Sequence, residues 1–181
     1  DASLTTVRVE SRRLLFEKIK TEPGKFSKLE ATVNIRVPAI GDTGEEVKSK
    51  PREMNKLDWD NKLTFEFTDK RPCICAIEIT RTIDAVTVFL AGNSTVVDQD
   101  DDPWASWGQM SPRFLKKGVA VSNHAESGLS LGSFLSSNRL KKVLNMMKPG
   151  DYLFIEFGHN DMKEKGPNDG AFKSYSERMK L

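Results

Sequence analysis

The residues with the clearest capacity for chemistry form a short loop, Gly92-Asn93-Ser94-Thr95, which follows a compact apolar run. A serine just beyond a buried strand, and close behind a glycine, can present its hydroxyl as a nucleophile at the mouth of a site. Backbone amides that follow such a strand can face a developing oxyanion. Glycine and serine after a strand also commonly form a turn or a helix cap, so this loop alone leaves both interpretations open.

Two further loops carry groups that could stabilise negative charge. The loop from Asn123 to Ser130 contains Gly128, where the backbone can approach a substrate closely and donate an amide hydrogen. The loop from Phe157 to Asp161 contains Asn160, whose side chain offers two N–H donors. In isolation, a flexible turn and an Asx turn are the simpler interpretations of these two loops.

The elements around these loops predict that all three lie together. Apolar runs predict strands, and a strand–helix alternation predicts a parallel sheet with helices on its faces. The carboxyl ends of such strands share one edge of the sheet, so the three loops are expected there. The predicted strands are Val86–Leu90, Gly118–Ser122 and Asp151–Phe157; the predicted helices are about Pro103–Lys117, bent at Pro112, Ser137–Lys148, capped by Ser136 or Ser137, and one from near Ala171 onward.

The first 84 residues have a different pattern. Apolar and polar residues alternate in several short runs separated by turn signals, which is typical of an antiparallel β-sandwich or jelly roll. We therefore predict two domains, residues 1–84 and residues 85–181. The predicted N-terminal strands are Ala31–Pro38, Lys62–Thr68 and Arg71–Thr82, with a less regular candidate over residues 14–19.

Composition excludes several classes of function. The chain has 181 residues, with 28 basic and 26 acidic side chains and a formal charge of +2. So balanced a charge does not indicate a nucleic-acid partner. No apolar run approaches the roughly 20 residues needed to span a bilayer, so no membrane span is expected. The chain begins Asp1-Ala2-Ser3 without a signal peptide, which does not by itself assign a compartment.

Several other residues have structural interpretations. Cys73 and Cys75 would share one face of a strand, and they are expected to be buried free thiols. With no further ligands nearby, no metal site is predicted there. The acidic run from Asp98 to Asp102 is expected to be a solvated loop, with calcium binding as an alternative. Trp104 and Trp107 share a helical face and are expected in the core, with sugar stacking as the alternative, whereas Trp59 is expected to be exposed; these three are the tryptophans of the chain.

The three loops together resemble the motif blocks of the SGNH (GDSL) hydrolase superfamily, and most of all its rhamnogalacturonan acetylesterases and related bacterial polysaccharide deacetylases. Residues 1–84 resemble the galactose-binding-like module that precedes such domains in some bacterial enzymes. The resemblance implies a partial three-layer, flavodoxin-like α/β domain over residues 85–181. The segments that carry it are Gly92–Val96, Pro103–Met110, Asn123–Ser130 and Glu156–Asp161.

The resemblance implies a role for each site residue. Ser94 would attack an acetyl ester, and the amides of Ser94 and Gly128 with the Asn160 side chain would form the oxyanion hole. Substrate-binding or loop-shaping roles would fall to Asn93, Thr95, His159 and Asp161. The substrate would be an acetylated plant-cell-wall polysaccharide or oligosaccharide, no cofactor is implied, and the location would be secreted or periplasmic.

Two departures from the family pattern define the alternatives. Asparagine stands at position 93 where aspartate is usual, and the Asp-x-x-His block that supplies the base is absent from the 181 residues. His124 and His159 are weak candidates for that base. One hypothesis is a fragment of an esterase, weak or inactive alone, whose exposed sheet edge is covered in a homo-oligomer or aggregates. The other is a non-catalytic carbohydrate-binding or scaffold protein with degenerate esterase loops.

Overall fold

The computed structural model describes residues 2–181, which contain one antiparallel and one parallel sheet of three strands each. In the antiparallel sheet, β1 pairs with both β2 and β3. In the parallel sheet, β4 pairs with both β5 and β6. The strands are β1 Ser3–Val9, β2 Arg13–Thr21, β3 Phe65–Thr68, β4 Val86–Gly92, β5 Val119–Asn123 and β6 Tyr152–Glu156.

The predicted parallel sheet is confirmed, and its strand order locates the expected site. The strand order β5-β4-β6 places the first strand of this sheet in the centre. Val88 of β4 is opposite Val121 on one side and Tyr152 on the other. The chain thus moves to one side of β4 and then to the other, which creates a topological switch point at the carboxyl end of β4. Ligands of open α/β sheets bind at such points.

Both faces of β4 are buried in its carboxyl-terminal part, which explains the apolar sequence there. Phe89 belongs to a cluster with Phe134 and Val143, whereas Leu90 packs in a second cluster with Val96 and Val121. Successive strand residues point to opposite faces, so two neighbouring apolar residues require two covered faces.

The helices are shorter than predicted. The first predicted helix is reduced to α1, Trp107–Met110, followed by a 3₁₀ turn over Ser111–Phe114. Ser106 caps α1 by accepting a hydrogen bond from Gln109 N, and Pro112 lies in the first turn of the 3₁₀ segment, where its missing N–H is not needed. The other helical segments are α2 Leu131–Ser136, α3 Arg139–Met146, α4 Ser176–Arg178, a π turn over Ala171–Tyr175, and 3₁₀ turns over Pro51–Glu53 and Asp161–Lys163.

The predicted cap of the second helix is wrong. Asn138, in a left-handed conformation with φ 62°, precedes α3 as its N-cap residue. Ser136 instead ends the separate helix α2, and Ser137 is the residue at which that helix is capped. The helix was predicted to begin at Ser137, because apolar periodicity does not detect the left-handed residue Asn138 that precedes α3. Among residues 2–181, no helix combines the length and apolar character needed to cross a bilayer.

The β-sandwich prediction for the N-terminal residues is not confirmed. One sheet is described within residues 2–84, whereas a sandwich requires two packed sheets. The prediction for residues 62–68 is confirmed over Phe65–Thr68, and the irregular candidate at 14–19 lies within β2. Residues 31–38 and 71–82 contain no strand. Alternation alone does not make a strand where no neighbouring strand supplies hydrogen bonds, and Ile79 there remains 66% exposed.

Cys73 and Cys75 are free as expected, but they are exposed because their segment joins no sheet.

Buried polar contacts connect residues on the two sides of the predicted domain boundary. Arg13 of β2 donates to the carbonyl of Val121 in β5 at 3.1 Å, and its Nε lies 3.0 Å from Asp98. Residues on either side of position 84 therefore share buried polar contacts, and the division into 1–84 and 85–181 stays a prediction.

Candidate active site

Ser94 lies at the tip of a tight turn at the carboxyl end of β4. The side-chain oxygen of Asn93 accepts hydrogen bonds from Thr95 N at 3.2 Å and from Thr95 Oγ1 at 3.1 Å. The backbone carbonyl of Asn93 accepts hydrogen bonds from the amides of Val96 and Val97, both at 3.0 Å. An amide oxygen performs the accepting role here, so asparagine in place of aspartate is compatible with the turn.

The turn leaves the reactive groups of Ser94 available. Ser94 is partly exposed, and its carbonyl accepts a hydrogen bond from Gln99 Nε2 at 2.9 Å. Within residues 2–181, its hydroxyl and its amide have no hydrogen-bond partner. A hydroxyl and an adjacent amide that are both free are the groups that a serine nucleophile needs.

Two glycines allow this turn to pack tightly. A Cβ at Gly92 would lie 2.5 Å from Cγ2 of Val96, and a Cβ at Gly108 would overlap the carbonyl oxygen of Val96. Gly92 therefore permits the close return of the chain after β4. Gly108 permits α1 to pack directly on the same turn.

Glu156, the last residue of β6, connects the third strand to the first loop. Its carboxylate accepts one hydrogen bond from the Thr95 hydroxyl and one, at 2.7 Å, from the Trp107 indole. Glu156 belongs to the third motif, but the sequence alone predicted no role for it. The prediction that Trp104 and Trp107 are core residues is wrong: they are 66% and 41% exposed because α1 is a single turn at the rim of the sheet.

The second loop brings Gly128 to the same edge of the sheet. The amide of Glu126 donates to the carbonyl of Gly92 at 3.3 Å, which joins this loop to the end of β4. Leu129 N donates to Glu126 O at 3.1 Å and closes a turn in which Gly128 has φ +75°. Within the described residues, the Gly128 amide has no hydrogen-bond acceptor.

The third loop is attached to the second. Asn160 Nδ2 donates to the carbonyl of Leu129 at 3.0 Å, which leaves one of its two side-chain N–H groups for another acceptor. Asp161 is buried and accepts hydrogen bonds from Leu131 N at 2.7 Å and from Gly158 N at 2.9 Å. These contacts fit a loop-shaping role for Asp161.

The structure thus brings the three loops to one edge, although no hydrogen bond joins Ser94 directly to Gly128 or Asn160 in the described part of the chain.

His159 of the third loop is exposed, and its Nε2 lies 3.0 Å from Lys163 Nζ. The same ammonium donates to Asn160 Oδ1 at 3.0 Å. The exposed hydroxyl of Thr95 bonds to Asn93 and to Glu156.

His124 is a buried structural residue. Its Nε2 shares a 2.9 Å hydrogen bond with Ser122 Oγ, and its ring packs edge-on against Trp59 at 5.6 Å. Burial, followed by the nearby cations Arg36 and Arg139, holds its pKa well below the ordinary value. The prediction of an exposed Trp59 is wrong, because this ring is buried beneath the Arg36 guanidinium, 4.4 Å from the ring centroid.

The prediction of a solvated acidic run fails at its first residue. Asp98 is buried, lies 3.0 Å from Arg13 Nε, and accepts a hydrogen bond from Asn123 Nδ2 at 2.8 Å. Burial raises the pKa of Asp98 to about 6, against the opposing effect of Arg13. Asn123 also donates to Val96 O at 2.6 Å, so Asp98 and Asn123 together connect the first loop to the second.

A basic segment from the N-terminal half contacts the second loop. Lys50 Nζ donates to Ser127 O at 2.7 Å, and Arg52 donates to the same oxygen. The Glu126 carboxylate forms ion pairs with Arg52 at 2.7 Å and with Lys56 at 3.3 Å. No local sequence signal predicts these contacts, which join residues about 75 positions apart.

The same basic segment borders a cleft of about 300 Å³. Arg52 and Lys56 line this cleft together with residues that include Arg12, Asn55 and Asp100. Across residues 2–181, no group of three or more His, Cys, Asp or Glu side chains could hold a metal ion.

The mixed α/β architecture with a parallel sheet fits a partial α/β hydrolase fold. Over about half of its length the chain is similar to proteins that are named as esterases. No protein-family model matches the chain.

Three curated relatives carry this similarity. The chain is 46% identical over 83 residues to rhamnogalacturonan acetylesterase RhgT of Bacillus subtilis, which covers 45% of the chain and 36% of the relative. It is 36% identical over 96 residues to the probable rhamnogalacturonan acetylesterase YesY of the same organism, which covers 51% of the chain and 44% of the relative. It is 35% identical over 77 residues to rhamnogalacturonan acetylesterase of Emericella nidulans, which covers 42% of the chain and 29% of the relative. The matches thus span less than half the length of these relatives.

Proposed function

We propose that this chain is part of a carbohydrate esterase that removes acetyl groups from a rhamnogalacturonan-like pectic polysaccharide, with Ser94 as the nucleophile. The observation that carries the proposal is the turn at Ser94, a partly exposed residue. Within residues 2–181 its hydroxyl and amide have no hydrogen-bond partner, and it lies at the carboxyl end of the central parallel strand. The relatives named as rhamnogalacturonan acetylesterases support the choice of substrate.

The proposed reaction is an acyl transfer in two steps. Ser94 Oγ forms a bond to the acetyl carbonyl carbon, and the carbonyl electron pair moves onto oxygen. The Ser94 amide, the Gly128 amide and the remaining Asn160 N–H would hold this oxyanion. Its collapse breaks the ester bond, releases the sugar hydroxyl with a proton, and leaves acetyl-Ser94. Water then hydrolyses the acyl-enzyme to acetate.

The base that accepts the Ser94 proton is proposed to lie in an Asp-x-x-His block outside residues 1–181. His124 is enclosed and bonded to Ser122, and His159 is next to Lys163 rather than Ser94. The 181 residues alone are therefore proposed to be weak or inactive, because loss of a triad member costs several orders of magnitude in rate.

Trp107 is the proposed sugar platform. Its indole N–H is fixed on Glu156, and Glu156 also holds Thr95 beside the nucleophile. An exposed aromatic face with a fixed orientation can pack against the apolar face of a sugar ring. We further propose a secreted or periplasmic location, and a carbohydrate-binding role for the N-terminal residues.

The direct test is acetate release from acetylated rhamnogalacturonan by the protein extended to include an Asp-x-x-His block. Release should be abolished by Ser94→Ala and retained by Ser136→Ala, an exposed serine at the end of α2. Equal release by the wild type and Ser94→Ala would disprove the role of Ser94.

A second candidate is a non-catalytic carbohydrate-binding or scaffold protein. The observation that favours it is that, within residues 2–181, no histidine forms a hydrogen bond with Ser94. Binding of pectic oligosaccharide without acetate release by the extended protein would select this candidate.

A further inference from the structure

We infer that Lys50 and Arg52 are positioning residues that orient the Gly128 amide toward the oxyanion. This inference rests on the proposed esterase function and assigns a catalytic purpose to a segment of the N-terminal half. Both side chains donate hydrogen bonds to one atom, the carbonyl oxygen of Ser127, and Lys50 does so at 2.7 Å. A Cβ built on Gly128 would lie 3.5 Å from Lys50 Nζ and 3.9 Å from Arg52.

Planarity of the peptide unit makes this contact directional. The Ser127–Gly128 bond is trans, so its C=O and N–H groups point in opposite directions. Two cationic donors hold the C=O on the side of residues 50–52. The Gly128 N–H must therefore face the opposite side of the loop, away from those cations.

The turn itself leaves this peptide unit free to be oriented from outside. The hydrogen bond that closes the turn runs from Leu129 N to Glu126 O and does not involve the central peptide. A positive φ at the third residue, Gly128 at +75°, matches a type II turn. The alternative type I turn rotates the central peptide by about half a turn, so contacts to Ser127 O select between the two orientations.

The two cations are held on a rigid support. Glu53, adjacent to Arg52, is fully buried and forms hydrogen bonds to Arg139 at 2.6 and 2.5 Å. Glu53 also accepts the backbone amide of Lys50 at 2.7 Å. Arg139 in turn donates to the carbonyl of His124, in the second loop itself, at 3.1 Å. Residues 50–53 and the second loop are thus fixed to the same buried arginine.

The charges of Lys50 and Arg52 are expected to strengthen the Gly128 N–H as a hydrogen-bond donor, in addition to setting its direction. Arg52 is paired with Glu126, whereas Lys50, within the described residues, has no carboxylate within ion-pair distance. Its charge is directed at a neutral carbonyl. Donors on a carbonyl polarise the attached N–H, because hydrogen bonds in a chain strengthen one another.

The test uses the isotope-labelled 181-residue chain and two readouts. Chemical shifts of Ser127 carbonyl carbon and Gly128 amide nitrogen report the hydrogen bond. The rate at which a fluorophosphonate modifies Ser94 at pH 9, where hydroxide replaces a missing base, reports the oxyanion hole. The variants are K50M, R52M, the double variant and the charge-conserving K50R; K25M, at an exposed lysine, is the control.

The expected result is a shift change at Ser127 and Gly128 in the double variant, with modification slowed by about tenfold, less than full loss of a donor. K50R and K25M should keep both values close to wild type. Unchanged shifts in the double variant, or an unchanged rate in spite of altered shifts, would overturn the inference. Failure of the proposed function is distinct: the protein extended to include an Asp-x-x-His block would then release no acetate from acetylated rhamnogalacturonan, or would release it equally with Ser94→Ala.

Discussion

The Glu53 carboxylate and the Arg139 guanidinium form an ion pair in which neither side chain is exposed to solvent, with O···N distances of 2.6 and 2.5 Å. The two residues are 86 positions apart and connect the N-terminal half to the start of α3. Removing one partner leaves the other charge buried without compensation, which is more costly than losing the pair.

We predict that Glu53→Gln lowers the free energy of unfolding by about 3 to 5 kcal/mol, because Arg139 loses its counter-charge in a dry environment. Denaturant unfolding would measure the change. The matched control is Glu45→Gln, which removes the partner of Lys141 in a pair about half exposed on both sides. That control should change stability by less than about 1 kcal/mol, and similar losses in both variants would contradict the prediction.

Features that depend on neighbouring residues could be predicted from the sequence, whereas features that depend on distant partners could not. Strands β4, β5 and β6 were predictable because their apolar runs and turn residues are local signals, and the loop positions followed from sheet topology. The burial of Glu53, Asp98 and Trp59 was not predictable, because it depends on partners far along the chain such as Arg139, Arg13 and Arg36. Glu156 and Lys50 were missed for the same reason.

A substitution at Gly108 tests how tightly α1 packs on the nucleophile turn. The added methyl of Gly108→Ala would overlap the backbone carbonyl of Val96, so the turn at Ser94 must move. We predict a loss of about 3 kcal/mol or more in the free energy of unfolding. The control is Gly44→Ala, where the methyl meets nothing within 4 Å and only the φ of +74° is unfavourable, at about 1 kcal/mol. Thermal unfolding should separate the two variants, and equal losses would argue against tight packing at Val96.

Asp98 should impose a pH dependence on stability. Its pKa is raised from an ordinary 3.8 to about 6 in the folded state, so between these values the folded protein binds more protons than the unfolded chain. The free energy of unfolding should therefore fall as pH rises from about 4 to 6, by up to about 3 kcal/mol from this group.

Urea unfolding of Asp98→Asn across this pH range measures the contribution as a difference in slope from wild type. Asp98→Asn also removes the interaction with the Arg13 charge, which lowers the free energy of unfolding at every pH. The further decrease between about pH 4 and 6, which we assign to Asp98, should be absent from this variant. Asp100→Asn, in the same acidic run but 42% exposed, serves as the control. Parallel curves for the wild type and Asp98→Asn would contradict the assignment.

The edge strand β6 should make the 181-residue chain self-associate. It pairs only with β4 within the described residues, and Tyr152, Phe154 and Ile155 are each more than half exposed. Unpaired edges with apolar side chains favour association. Light scattering should detect dimers or larger species, and Phe154→Lys should shift them toward monomer. Phe172→Lys, at a residue 98% exposed outside the sheet, should have less effect. A monomeric wild type would contradict this prediction.

The central claim is that one acyl oxygen can be held by groups from all three loops. A crystal structure of the Ser94 adduct with a small fluorophosphonate measures this directly, because its phosphoryl oxygen takes the place of the oxyanion. We expect this oxygen to lie about 2.7–3.1 Å from Ser94 N, Gly128 N and Asn160 Nδ2. A phosphoryl oxygen that faces solvent, or that lies too far from Gly128 N and Asn160 Nδ2 for a hydrogen bond, would show that the three loops do not form one oxyanion hole.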